Sequence, residues 1–450
     1  MGETDATEGD GGEGGDGAEG GSEARFLLLC ALTGLGAGLV GSLFLLGIDA
    51  LLVWPRRLAG ELSGLPLVAA SAAITMTMTL LAVALVRGYA PEASGSGVQE
   101  IEGAMVGKRR LRWRLVLPVK LFGGLIALGS GLALGREGPT IHMGASVGAA
   151  LSETYRTSET ERRGLLASGA GAGLASAFNA PVGGVLLVIE EMREEFPNNL
   201  RTYLGLLVAA VVATSVTQAI TGTGPMMPVA AEMPPLGLLP AFLLLGLGVG
   251  LVGVLLNASL LRLLDLAART ARWSPYLYPA VIGLAVGTLL VVLPQSVTGG
   301  EHVVVELGAQ HVALGALVLL SVVRFATLVG SYSSGVPGGI FAPMLALAFC
   351  LGLAFAEAAD MLLPDIGIDP AAFAICAMGG LFVASVRAPL VGAVLILELT
   401  GAYVLMLPIV LTCATAELVA QRCGGRPIYA LLLERTLALE ARAKGQPAGE

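Results

Sequence analysis

Charge is what this 450-residue chain has least of: 13% of its residues are Asp, Glu, Lys or Arg, against 55% hydrophobic. Soluble domains carry about a quarter charged residues, so a chain bathed in water along its whole length is excluded. Histidine is scarcer still. The three present, His142, His302 and His311, are too dispersed for the H-E-x-x-H spacing of a zinc hydrolase. The five cysteines, Cys30, Cys350, Cys376, Cys413 and Cys423, contain no C-x-x-C pair. That indicates neither a disulfide framework nor a zinc site, and no metal or cofactor is expected.

What fills the chain instead is long apolar sequence. Phe26–Trp54, Leu65–Val86, Leu236–Leu264 and Ala313–Val329 approach or exceed the ~20 residues that span a bilayer as helix. The fold class expected is an all-α polytopic membrane protein. Much of the net charge of −8 comes from the Gly/Glu/Asp-rich stretch Met1–Glu23. Such a composition cannot bury a core, so residues 1–24 are expected to be a disordered leader. It lacks a basic region before an apolar stretch and is not a secretory signal. Basic residues collect at Lys108, Arg109, Arg110, Arg112 and Arg114, at Arg193 with Arg201, and at Arg269 with Arg272. The tail adds Arg422, Arg426, Arg435, Arg442 and Lys444. Loops rich in Lys and Arg stay on the cytoplasmic side, which places these segments and both termini there.

Against that background Glu137 stands out, in Gly135-Arg136-Glu137-Gly138-Pro139, after the run Leu115–Leu134. A carboxylate at membrane depth costs roughly 2.5–3.5 kcal/mol on insertion scales and is there for a function. Flanking glycines let backbone approach a ligand closely, and Pro139 suits a first helical turn. A helix start inside a membrane aims free N–H groups and about half a positive charge at what lies before it. The reading is an anion site with a protonatable carboxylate over it.

The chain also repeats itself. Ala180-Pro181 through Glu190 resembles Ala388-Pro389 through Glu398, and Gly135, Pro139 and Gly148 align with Gly339, Pro343 and Gly352. Two halves related in this way suit an inverted-repeat transporter, whose Gly/Pro-interrupted helices mark a midplane site. The organisation expected is a leader 1–24, a first half 25–220, a linker 221–235, a second half with a C-terminal cytoplasmic helix 236–436, and a tail 437–450. Three further segments open helices near the same chemistry. Ser96 in Gly95-Ser96-Gly97-Val98 is placed as an N-cap or as a hydroxyl donor to an anion. Gly338–Pro343 offers the N–H groups of Ile340 and Phe341. Tyr429 follows Gly424-Gly425-Arg426-Pro427-Ile428, as a ligand or as an interfacial aromatic. A serine hydrolase built on Gly330-Ser331-Tyr332-Ser333-Ser334-Gly335 would need a base that no histidine evidently supplies.

Taken in order, Gly-Ser-Gly-Val, Gly-Arg-Glu-Gly-Pro, Gly-Gly-Ile-Phe-Ala-Pro and the tyrosine after Gly-Gly-Arg-Pro-Ile resemble the ClC family of chloride channels and chloride/proton exchangers. The likeness runs from about Phe26 to Thr436, and Phe178-Asn-Ala-Pro with Glu190-Glu191-Met192 adds to it. It implies tilted and broken helices in two inverted halves, and a homodimer with one anion pathway per subunit. It further implies that Ser96, Tyr429 and the amides of Ile340 and Phe341 hold the central anion. Glu137 would be the external gate and proton acceptor, and Glu191 the internal proton relay that separates an exchanger from a passive channel. The partners implied are chloride, protons and the lipid bilayer, with no nucleic acid. A passive chloride channel of the same fold is the alternative. Glu190 has a counterpart in Glu398, which suggests a shared structural role, whereas Glu191 aligns with Leu399. Arg136 is expected to pair with Glu102, and His142 to be a polar packing residue. Gln99 departs from the proline usual in the family and puts anion affinity in question, while Ser96 favours chloride over nitrate. The fluoride-exporting branch departs at the Ser and gate motifs, which this chain keeps. Leu437–Glu450 is too short for a cytoplasmic nucleotide-binding module, which points to a prokaryotic inner membrane.

Overall fold

Several of the described helices are too short to cross a bilayer, and that fact organises the molecule. The computed structural model describes residues 15–192, 196, 199–362 and 367–443, except for the side chains of 15–21 and 442–443. Residues 1–14 of the expected leader, residues 444–450 of the expected tail, and the basic residues Arg193 and Lys444 lie outside the described residues. The first half comprises α1 (Gly15–Leu51), α2 (Trp54–Glu61), α3 (Gly64–Tyr89), α4 (Val98–Met105), α5 (Trp113–Gly129), α6 (Glu137–Tyr155), α7 (Glu159–Phe178), α8 (Pro181–Glu191) and α9 (Leu200–Thr221). The second comprises α10 (Leu239–Thr270), α11 (Leu277–Val292), α12 (Glu301–Gly308), α13 (Leu314–Tyr332), α14 (Phe341–Leu362), α15 (Pro370–Val386), α16 (Pro389–Thr400) and α17 (Met406–Arg422). The helix α18 (Ile428–Ala443) follows. No β-strand occurs among the described residues, only two isolated bridges.

The first helix begins at Gly15, within the segment expected as leader.

Among the described residues, seven helical stretches are long and apolar enough to span a membrane, and the chain is a multi-pass membrane protein. By contrast α4, α8, α12 and α16, of 8, 11, 8 and 12 residues, stop short of the ~30 Å hydrocarbon core. Their ends must therefore lie where protein covers them.

The two halves match helix for helix, α1 and α3–α9 against α10–α17, and this is the inverted repeat. Helices α4 and α12 each start after a left-handed glycine, Gly97 at φ 92° and Gly300 at φ 90°. Helices α8 and α16 each open on proline after an alanine, Ala180 at φ −125° and Ala388 at φ −121°. Proline there fixes the first turn without losing a bond. The shared glutamates close the repeat. Glu190, near the end of α8, accepts the N–H groups of Leu390 and Val391 at the start of α16, at 3.1 and 2.8 Å. Glu398 returns the bond to Val182 and Gly183 of α8, at 3.1 and 2.7 Å. Each half thus caps a helix of the other, the structural role that the repeat suggested for this pair.

Candidate functional site

Three glycine-rich turns meet between the halves, and backbone hydrogen bonds stitch them together. Gly95 donates to Val336 O at 2.9 Å, and Gly338 donates back to Gly95 O at 3.0 Å. Gly135 and Gly339 exchange both bonds, at 2.9 and 2.7 Å. The turns carry the starts of α4, α6 and α14, so three helix N-termini converge on one region.

Glu137, the first residue of α6, sits in that region and is 1% exposed. Its Oε1 accepts the N–H of Phe341 at 2.7 Å, at the start of α14. Its Oε2 is buried without a hydrogen-bond partner. The carboxylate lies between two glycines: a Cβ added to Gly135 or to Gly339 would fall 2.1 Å from one of its oxygens. Ser96, fully buried, lies against Gly138, and its Oγ accepts the N–H of Val98 at 3.3 Å. The N-cap of α4 is Gly97, so Ser96 shields the helix start from one residue further out.

Tyr429 descends from α18 into the same region, with its hydroxyl within reach of the Ser96 side chain. Its ring packs 5.9 Å from that of Phe341, which in turn meets Phe382 edge-on at 4.8 Å. Ile340 is buried immediately before α14. Ser96, Glu137, Ile340, Phe341 and Tyr429, spread over more than three hundred positions, are therefore brought together. Glu191 ends α8, half-buried, within electrostatic reach of Tyr429.

Lys120 belongs here too and was hidden in the run Leu115–Leu134. It is wholly buried and donates to Ala93 O at 3.0 Å and Gly95 O at 2.7 Å, pinning the turn that carries Ser96. The rule that singled out Glu137, an ionisable group inside an apolar run, would have found it. His142 packs on Gly97 as a packing residue would, yet neither ring nitrogen has a hydrogen-bond partner. Arg136 does not pair with Glu102 as expected. It faces Glu301, Nε to Oε1 at 3.8 Å, because the turn 293–300 of the other half folds over it. Ser331 Oγ accepts the Ala133 N–H and Ser334 Oγ donates to Ser331 O, so both hydroxyls serve the backbone.

Fold and site define a class: a polytopic protein of two inverted halves whose broken helices aim their N-termini at one buried carboxylate. The chain belongs to the ClC family; the family profile described as voltage gated chloride channel matches residues 78–421. It is 42% identical over 420 residues to the H(+)/Cl(-) exchange transporter ClcA of Vibrio parahaemolyticus, covering 91% of this chain and 90% of that one. The ClcA of Salmonella gallinarum is 40% identical over 423 residues, covering 91% and 86%. Among solved structures, a slow cyanobacterial Cl-/H+ antiporter superposes with a TM-score of 0.88 at 37% identity, over 92% of this chain and 98% of that one.

Proposed function

We propose that this protein exchanges chloride for protons, with Glu137 as the gate. One observation carries the reading: the Glu137 carboxylate occupies the N–H that opens α14, the kind of donor an anion would take. A carboxylate and a chloride carry the same charge and exclude each other from one set of donors. Protonation removes that competition, so each proton taken up by Glu137 clears the way for an anion. Ser96 and Tyr429 supply hydroxyl donors to the central anion, and the amides of Ile340 and Phe341 complete the site. Glu191 passes the proton onward from the cytoplasmic end of α8, and its presence favours exchange over a passive channel of this fold. The names of the similar proteins support chloride as the anion. No cofactor takes part in this reading. The protein works as a homodimer in a prokaryotic inner membrane, with both termini in the cytoplasm beside the basic loops.

Reconstituted vesicles with simultaneous chloride and pH electrodes test this. A chloride gradient should drive protons uphill. Glu137→Gln and Glu191→Gln should each keep chloride flux and lose proton movement. Halide release by the parent protein without counter-moving protons would make it a channel.

A further inference from the structure

The residue before the gate is held by a carboxylate from the opposite half. Arg136 and Glu301 form an ion pair at 3.8 Å with side chains only 11% and 20% exposed, and Arg136 Nε has no hydrogen bond. Glu301 is not a loose surface charge. The turn before it is fixed by Arg324, which donates to Gln295 O at 2.8 Å and Val297 O at 3.2 Å, and by Thr327 Oγ1, which donates to Ser296 O at 2.7 Å. Thr298 N–H donates to Gly131 O at 3.0 Å, tying this turn to the segment that leads into Arg136 and Glu137. Gly300 leaves no room for a side chain, since an added Cβ would fall 2.4 Å from Ala346 and 2.6 Å from the Arg324 guanidinium. With the basic Arg269–Arg272 segment on the inside, as proposed above, α11 carries this turn to the outer face.

The charged groups facing Glu301 are few. Arg136 comes from the start of α6 and Arg324 from α13; Asp49 of α1 and His302 of α12 stand within electrostatic reach; Glu137 lies beyond Arg136. An opposite charge beside Arg136 cancels much of its field at the gate. Without it the guanidinium would favour the ionised form of its neighbour and any anion entering from outside. We propose that Glu301 is a positioning residue for the gate: by holding and neutralising Arg136 it sets the external pH at which Glu137 takes up its proton.

This rests on the gate reading above, and the test separates the two. Exchange in oriented vesicles is measured against external pH for the parent, Glu301→Gln, Arg136→Gln, the double variant and Glu301→Asp. Glu301→Gln should move the half-activation pH acidward by about 0.5 unit or more, leaving the acid-limit rate within twofold. Arg136→Gln should move it the other way, and the double variant should return toward the parent. Glu301→Asp, which keeps the charge, should restore most of the parent profile. An unmoved midpoint in Glu301→Gln overturns the proposal, as does a uniform loss of rate at every pH. Glu137→Gln is run alongside. Proton-coupled flux surviving in it sinks the gate reading, whereas its loss with an unmoved Glu301→Gln midpoint sinks only the role of Glu301.

Discussion

A carboxylate wedged between two glycines tolerates no added atom on either side. At Gly339 a methyl group would stand 2.1 Å from Glu137 Oε1, well inside van der Waals contact, and 2.8 Å from the Gly138 nitrogen. Its backbone is not left-handed, so alanine there is a problem of space alone. Gly339→Ala should therefore expel the carboxylate from the Phe341 N–H and cut coupled exchange at least about tenfold, a ~1.4 kcal/mol effect. The thermal unfolding midpoint in detergent should fall as well, because the Gly138 nitrogen is backbone and cannot swing aside, and exchange at the parent rate would show that the carboxylate does not work from this position. The residues of this cluster were legible in one dimension because each sits in a short motif that marks a helix start. Lys120 was legible by the same rule as Glu137 but was passed over, and the Arg136–Glu301 pair was not legible. Lys120 disappears when hydrophobicity is averaged over the run Leu115–Leu134, and Glu301 lies 165 positions from Arg136 in a segment without a motif. Nearness along the chain favoured Glu102 as the partner, and tertiary folding decided otherwise.

At the scale of elements, the two adjacent glutamates at the end of α8 differ in the structure, since Glu190 caps another helix. Glu190 binds the start of α16, and Glu398 binds the start of α8, with nearly matching distances. A carboxylate at a helix N-terminus satisfies unpaired N–H groups and meets the positive end of the dipole. Removing either cap should cost about 1–2 kcal/mol, similar for both because the geometry is mirrored. Glu190→Gln and Glu398→Gln should thus lower the unfolding midpoint by similar amounts while proton coupling survives. Glu191→Gln should do the reverse, keeping stability and losing coupling. If Glu190→Gln uncoupled transport while Glu191→Gln did not, the roles given to the two residues would be exchanged. The repeat itself was readable from the Ala-Pro blocks, and the shared structural role it suggested for Glu190 and Glu398 is the capping seen here. Which helix each glutamate caps was not readable, since a cap between halves exists only after both halves have folded against each other.

For the whole molecule, the decisive feature is that the described residues gathered at the site all come from one chain. The turns at Gly95, Gly135 and Gly339 are hydrogen-bonded to one another within a single subunit, and Tyr429 of the same chain closes the region from α18. The same holds for the clamp on Arg136, whose members Glu301, Arg324 and Thr327 all belong to that chain. Every described residue of the cluster comes from one chain, so in the proposed dimer two subunits should transport independently. Effects at independent sites add. A tandem-linked dimer of parent and Glu137→Gln subunits should therefore move protons at about half the parent rate, with chloride flux the sum of one coupled and one uncoupled pathway. A linked dimer with no proton movement at all would mean that one gate commands both pathways. The site would then be shared across the interface, contrary to the single-chain construction seen here.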